Sequence, residues 1–428
     1  MFDFVNSDHT EHDLTRMVDA ARQIPPGDVL DLLTLLCDLV GARAARFFVA
    51  DYSLRALQQI DRSGHVGDPV PVEGTLIGRA FVGSEILTTG TNPTKVFVPL
   101  VEGTNPIGVL ELDYDDWAGQ PSTLFDPIVS TFVMTWVLKS RYSDMAERAR
   151  RAQPLTVAAE VQWDLLPPLS CSTDRFAVSG SLEPAYDIGG DSFDYAVDAS
   201  RLDFAIVDAI GRGLAAVLMS GAAINSLRNS RRAEIGVAAA YEIADRTVAS
   251  QFGPANFVTA IIGSLDLQSG TLSWVNAGHV LPMLVRNGVY AGTLACRPSR
   301  PLGLGGTVME VAEVALQRGD RVLFYTDGIT ESRSSDGSFF GDGRLADFLA
   351  RAALTDQPVR ETVRQLSGSV IDFNDDGMRD DSTMLLLECR GSGGRGVRRG
   401  RRRSSPPAPR APRRAAVRRR AGWPTSLW

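Results

Sequence analysis

Four aspartates, Asp191, Asp208, Asp327 and Asp380, each stand at the edge of an apolar strand-like run, and that repetition limits what this chain can build. Gly189–Gly190 precede Asp191, Gly211 and Gly213 follow Asp208, and Gly328 follows Asp327; Asp380 and Asp381 lead into Thr383–Leu387. An apolar strand that ends in an acid sets a charge on a sheet rim, and glycine beside it lets other backbone crowd close. Any one of these residues alone reads as a cap or turn aspartate. Four of them from distant segments read as a convergence on a cation, because clustered carboxylates without one repel. With only four cysteines, no CxxC pair and four histidines, the chain is poorly equipped for a disulfide framework, structural zinc or soft-metal chemistry. Oxygen ligands select Mg²⁺ or Mn²⁺.

The 428 residues exceed the ~250–300 at which single cores stop growing, so two or three domains are expected. Apolar spacing predicts helix over 14–40, broken at Pro25–Pro26–Gly27, then short strands at Arg46–Ala50, Leu54–Ile60, Val96–Leu100 and Ile107–Leu112. Glu102–Asn105 reads as a hairpin turn, and Gly74–Phe81 as a loop entering a short helix. From Asp126 to Arg151 the pattern predicts one helix of ~25 residues, a rod of ~38 Å at 1.5 Å per residue, with about three heptads that would let it pair in a homodimer. A further helix, Leu155–Leu166, stops at Pro167–Pro168. Beyond it, strands at Phe176–Leu182, Leu202–Val207, Phe257–Asp266, Thr271–Asn276, Leu281–Arg286, Arg321–Tyr325 and Ser382–Glu388 alternate with helices at Leu214–Asn229, Val237–Gln251 and Arg344–Ala353. Such an order predicts stacked antiparallel sheets covered by helices, an α+β protein.

Residues 391–428 hold 12 arginines and no acid, whereas the first 390 carry 32 basic against 51 acidic residues, a net of −19. Disorder is expected there: a polybasic arm for anionic partners, or an inert extension, which is the favoured reading. Without aromatic interleaving or a folded motif, nucleic-acid binding by the tail is not expected. No run reaches the ~18 apolar residues of a membrane span, and Met1–Thr10 lacks the apolar core of a signal peptide, so a cytoplasmic protein without membrane contact is expected.

The segments Gln162-x-x-Leu165-Leu166-Pro167, Ile188-Gly189-Gly190-Asp191-x-Phe193-Asp194, Asp208-x-x-Gly211-x-Gly213-x-Ala215-Ala216, Asn276-Ala277-Gly278-His279-x-x-Pro282, Pro301-Leu302-Gly303, Tyr325-Thr326-Asp327-Gly328-x-x-Glu331 and Asp380-Asp381-x-Thr383 closely resemble, in order, the PPM-type metal-dependent serine/threonine phosphatases of the bacterial SpoIIE/RsbU branch. Gly74–Phe81 and Pro106–Leu112 resemble a GAF domain, with a PAS-like or other α+β domain as the alternative. The resemblance implies a GAF-like sensor over 1–125, a helical linker and switch helix over 126–166, an αββα phosphatase sandwich over 167–390 and the tail over 391–428.

It further implies two Mn²⁺ or Mg²⁺ ions, with Asp208 bridging, the Ala209 carbonyl on the second, Asp327 and Asp380 on the first, and Asp191 acting mostly through water. A bridging water would attack phosphorus in line. Asp208, Asp327 and Asp380 are thus the expected catalytic residues. Arg212, where the family often has His or Lys, is either a phosphate contact or a solvated helix-start residue. Gln162, Leu165 and Leu166 resemble the family's regulatory switch helix, with an ordinary amphipathic helix the equal alternative. His279 reads as a buttress in preference to a general acid. The implied substrate is a phosphoserine or phosphothreonine protein, commonly an anti-sigma-factor antagonist of the STAS type, under control of a small-molecule or protein input at the N-terminal domain. The rival reading is a catalytically silent phosphoprotein-binding scaffold of the same fold.

Overall fold

The computed structural model describes residues 5–117, 125–184, 186–187, 189–308, 310–374, 378 and 380–391. The basic tail, from 392 on, lies outside the described residues.

Helix α1 (Val5–Gln23) ends where Pro25–Pro26 forbid its continuation, a 3₁₀ turn follows, and α2 (Leu32–Val40) ends at Gly41 in the left-handed region, φ +73°. Next come β1 (Ala44–Ala50), β2 (Ala56–Ile60), β3 (Val66–Pro71), α3 (Leu76–Gly83), β4 (Leu87–Thr89), β5 (Thr94–Glu102) and β6 (Asn105–Tyr114). The Thr75 hydroxyl caps α3 by accepting from the Gly78 amide at 3.0 Å. The six strands form one antiparallel sheet in the order β3-β2-β1-β6-β5-β4. Alternation sends Phe47, Val49, Leu110 and Leu112 to one face under α1, α2 and the following helix, and Phe48, Phe97 and Val109 to the other face under α3.

The single helix expected from Asp126 to Arg151 is two helices, α4 (Phe125–Ser140) and α5 (Met145–Arg150). The Ser140 hydroxyl donates back to the Trp136 carbonyl at 2.7 Å, and the Ser143 hydroxyl accepts from the Met145 amide at 3.2 Å, so one helix closes and another starts within five residues. Met145, Ala146 and Ala149 then pack into the first sheet's core. The segment folds back on the sheet instead of standing off as a rod.

After α6 (Val157–Leu165) the chain builds a sandwich from β7 (Ser170–Ser172), β8 (Phe176–Glu183), β9 (Asp191–Val197), β10 (Arg201–Ala209), α7 (Leu214–Arg232), α8 (Val237–Phe252), β11 (Val258–Asp266), β12 (Thr271–Ala277), β13 (Met283–Arg286), β14 (Val289–Thr293), β15 (Ala312–Ala315), β16 (Arg321–Tyr325), α9 (Asp327–Thr330), α10 (Gly341–Leu354), α11 (Val359–Phe373) and β17 (Ser382–Cys389). Five strands pair as β15-β12-β11-β10-β9 and six as β14-β13-β16-β17-β8-β7. Between the sheets lie Phe176, Phe193, Phe204, Trp274, Phe324 and Leu385, and the Phe204 and Phe324 rings meet across the gap at 4.5 Å. Burial of each such side chain contributes roughly 1.5–3 kcal/mol. Helices α7 and α8 cover the five-stranded sheet, and α10 and α11 the six-stranded one. The fold is α+β, with its C-terminal part an αββα sandwich.

The first sheet and the sandwich meet along two helices. At α6 the Tyr52 ring lies 4.6 Å from Trp163, the Arg150 guanidinium sits 4.1 Å over Tyr52 and 5.7 Å from Trp163, and the Tyr186 hydroxyl donates to Asp51 at 3.0 Å. At α11, Arg360 donates to the Val82 carbonyl at 2.9 Å and to Ser84 at 2.6 Å, while Arg364 pairs with Glu73 and Asp372 with Arg55.

Candidate metal centre

Asp191 opens β9 and Asp208 lies one residue from the end of β10, and the antiparallel register sets them directly opposite each other. Asp327 opens α9 after β16, and Asp380 and Asp381 lie just before β17. Two acids thus come from the five-stranded sheet and the others from the six-stranded sheet. Thr326 links the two: its hydroxyl donates to Asp191 Oδ2 at 2.7 Å and accepts from the Thr383 amide at 3.0 Å.

His279 makes a second link. Its Nδ1 lies 2.8 Å from the Thr259 hydroxyl on β11 and its Nε2 lies 3.1 Å from the Tyr325 carbonyl on β16. The carbonyl can only accept, so Nε2 carries the proton and Nδ1 accepts from the threonine. Burial pushes the His279 pKa down to about 4, which keeps the ring neutral. With both nitrogens engaged it is a buttress.

The glycines of the sequence pattern are contact requirements. A Cβ on Gly190 would lie 2.4 Å from the Ala209 carbonyl oxygen, and one on Gly328 would lie 1.7 Å from the Asp381 carbonyl oxygen. Side chains there would force apart the backbone that carries the acids.

Electrostatics mark the acids as neighbours. Burial, then the charges of Asp327, Asp380 and Asp381, raise the Asp208 pKa to about 6, against a hydrogen bond with Asp191 that lowers it. Asp191 is held well above the usual carboxylate range by burial and then by Asp208 and Asp381, and Asp327 is raised by burial, Glu331 and Asp380. Asp381, absent from the expected site, is also pushed up to about 6 by burial, and accepts from the Gly189 amide at 2.7 Å and the Asp191 amide at 3.2 Å. It holds the glycine turn in place. Asp380 is 68% exposed and pairs with the equally open Arg212 at 3.3 Å, a contact of little energetic weight.

The available donors, carboxylates and one carbonyl with the histidine already engaged, suit a hard cation. Among the described residues, no three Asp, Glu, His or Cys side chains stand close enough together to hold one ion. The acids feel one another's charge without being drawn onto a common point.

The raised pKa values set a pH dependence. Between the ordinary 3.8 and about 6 the folded metal-free chain binds more protons at Asp208 and Asp381 than the unfolded chain does. The cluster's contribution to metal-free stability therefore falls as pH rises through about 6. A cation needs these groups deprotonated and reverses the trend. Added Mn²⁺ is expected to raise Tm more at pH 7.5 than at pH 5.5, read by differential scanning calorimetry. An equal or larger shift at pH 5.5 would place Mn²⁺ binding elsewhere.

Gln162 of α6 is fully buried and its amide donates to the Asp191 carbonyl at 2.8 Å. The Leu165 carbonyl accepts from Arg228 at 2.5 Å, and Arg228 with Arg231 holds the buried Asp194 of β9. Leu166 is half-buried against the sandwich core.

Residues 198–390 match the family described as Stage II sporulation protein E (SpoIIE). Protein IcfG of Synechocystis is 24% identical over 263 residues, covering 53% of this chain and 40% of its own length. Phosphoserine phosphatase RsbU of Bacillus subtilis is 22% identical over 240 residues, 54% of this chain and 69% of its own. The crystal structure of the RsbU and RsbW domains of Rv1364c from Mycobacterium tuberculosis is 28% identical, with a TM-score of 0.44 over 52% of this chain and 62% of that one. The chain thus spans less than half the length of IcfG.

Proposed function

We propose that this chain, whose residues 198–390 carry a SpoIIE-type domain, is a metal-dependent protein phosphatase acting on phosphoserine or phosphothreonine of a partner protein. The observation that carries the reading is the gathering of mutually repelling carboxyls at one rim of the sandwich, supplied by both sheets. Asp208 would be shared by two ions, the Ala209 carbonyl would serve the second, Asp327 and Asp380 the first, and Asp191 would act through water. Bound Mn²⁺ or Mg²⁺ would supply an activated water and neutralise charge on the phosphoryl oxygens. Asp381 fixes the Gly189–Asp191 turn, Thr326 fixes the Asp191 carboxylate, and Arg212 offers a guanidinium that suits a phosphate.

Residues up to 125 act, in this reading, as a GAF-like sensor, and the regulatory residues are Gln162, Leu165 and Leu166. Support comes from the Gln162 bond to the Asp191 carbonyl, which lets a displacement of α6 reach a site acid directly. A cytoplasmic role in a sigma-factor pathway, with a STAS-type antagonist as substrate, is the extension of this reading that the family resemblance implies; the printed name of the RsbU relative, a phosphoserine phosphatase, supports its phosphoserine part.

A silent scaffold that binds a phosphoprotein draws on the present spacing of the acids. Hydrolysis of p-nitrophenyl phosphate and of a seryl-phosphorylated STAS protein separates the two. The phosphatase reading expects turnover of both with Mn²⁺, abolished by EDTA and restored by excess Mn²⁺. Metal-independent turnover, or none at all at millimolar Mn²⁺, would sink it.

A further inference from the structure

A cavity of about 310 Å³ lies between the first sheet and the C-terminal end of α6. Its apolar walls include Trp136 of α4, Ile107 of β6, and Trp163 and Leu166. Trp136 is buried and held edge-on to Phe47, with centroids 4.8 Å apart and planes at 81°. Trp163 is oriented by Tyr52 and Arg150. A separate crevice that Trp163 also lines has room for only about 40 Å³. The larger volume lies within the ~300–1,000 Å³ range of small-molecule sites.

The polar lining decides the class of ligand. Glu102 stands exposed at the β5–β6 hairpin, and Glu147 on α5 accepts from the Tyr52 hydroxyl. Arg150, the one cation of the lining among the described residues, is engaged over the Tyr52 and Trp163 rings. Two carboxylates and the half-buried Trp163 indole favour a flat aromatic group that carries a positive charge.

We propose that this cavity binds a small aromatic ammonium compound, its ring against Trp163 and its amine toward Glu102 and Glu147. Such a ligand touches Trp163 of α6 and Leu166 just beyond its end, in the turn that follows Gln162. Occupancy fixes the helix end and with it the bond from Gln162 to the Asp191 carbonyl. The consequence for catalysis rests on the phosphatase reading above; the binding itself does not.

Calorimetric titration of the full chain with tryptamine, neutral tryptophol and anionic indole-3-propionate tests the site. Tryptamine is expected to bind saturably, at least about tenfold tighter than tryptophol, with indole-3-propionate weakest. Glu102→Gln, an exposed change that spares the fold, should shrink that preference, and Glu102→Gln with Glu147→Gln should erase it. Ser140→Trp, which fills the cavity from α4, should remove binding of all three. No tryptamine heat at millimolar concentration, equal binding of the anion, or a preference unchanged in the double variant would overturn the proposal. In the activity arm, saturating tryptamine should lower the Mn²⁺ concentration for half-maximal p-nitrophenyl phosphate hydrolysis at least about threefold. An unmoved midpoint despite binding overturns the coupling. If Mn²⁺ yields no hydrolysis, the phosphatase reading fails while the titrations still decide the cavity.

Discussion

Replacing Asp208 with asparagine is expected to lower Mn²⁺-dependent kcat/KM on an aryl phosphate by at least about 10³-fold while raising the metal-free Tm. The two effects share one cause. Asp208 lies where burial and three other acids oppose its charge, so its carboxylate is a liability to the metal-free fold. Asparagine keeps the shape and a polar group opposite Asp191 in the β9–β10 ladder, and removes the repulsion. A residue kept for structure would show the opposite pattern, with activity and Tm falling together. Steady-state kinetics and a melt in EDTA measure both sides. Activity within tenfold of the parent, or a lowered metal-free Tm, would remove Asp208 from the proposed role.

Gly328→Ala is expected to be the most damaging single methyl group in the sandwich. The added carbon would lie 1.7 Å from the Asp381 carbonyl oxygen, and neither partner has an easy retreat. The Asp381 carboxylate is held by the Gly189 and Asp191 amides, and Thr326, two residues before the glycine, exchanges hydrogen bonds with Thr383. Overpacking of this kind costs about 3 kcal/mol or more, a fall of roughly 6–12 °C in Tm for a domain of this size. The strain falls on the turn that carries Asp327, so activity should fall with stability. A Tm within about 2 °C of the parent would show that the turn relaxes around the methyl group.

Much of the site was legible because its signals are local. An acid next to glycine at the end of an apolar strand is visible in a window of ten residues, and β10, β11, β16 and β17 lie where alternation placed them. The division of labour between Asp380 and Asp381 was not legible. The two are adjacent and chemically identical, and only tertiary packing buries Asp381 under two amides while leaving Asp380 open. Helix α11 carried a readable stripe, Val359, Val363, Leu366 and Val370, interrupted by Ser367–Gly368–Ser369. The break between α4 and α5 was hidden because Arg141–Asp144 suits a solvated helix as well as a turn; the Ser143 cap was the available sign. Contacts between the two halves of the chain had no sequence signature. Tyr186 reaches Asp51 across 135 residues, a distance at which periodicity says nothing.

The supply of acids from both sheets has a mechanical consequence. Oxygen ligands hold Mg²⁺ near 2.0–2.1 Å with little tolerance, so a slip of one sheet over the other by a fraction of an ångström separates a working ligand set from a loose one. The N-terminal half grips both leaves, one beside α6 and the other through the arginines of α11. A body fastened to both plates of a shear joint sets their offset. In the proposed phosphatase, the seam between the halves would be the place where a small rotation is converted into ligand spacing.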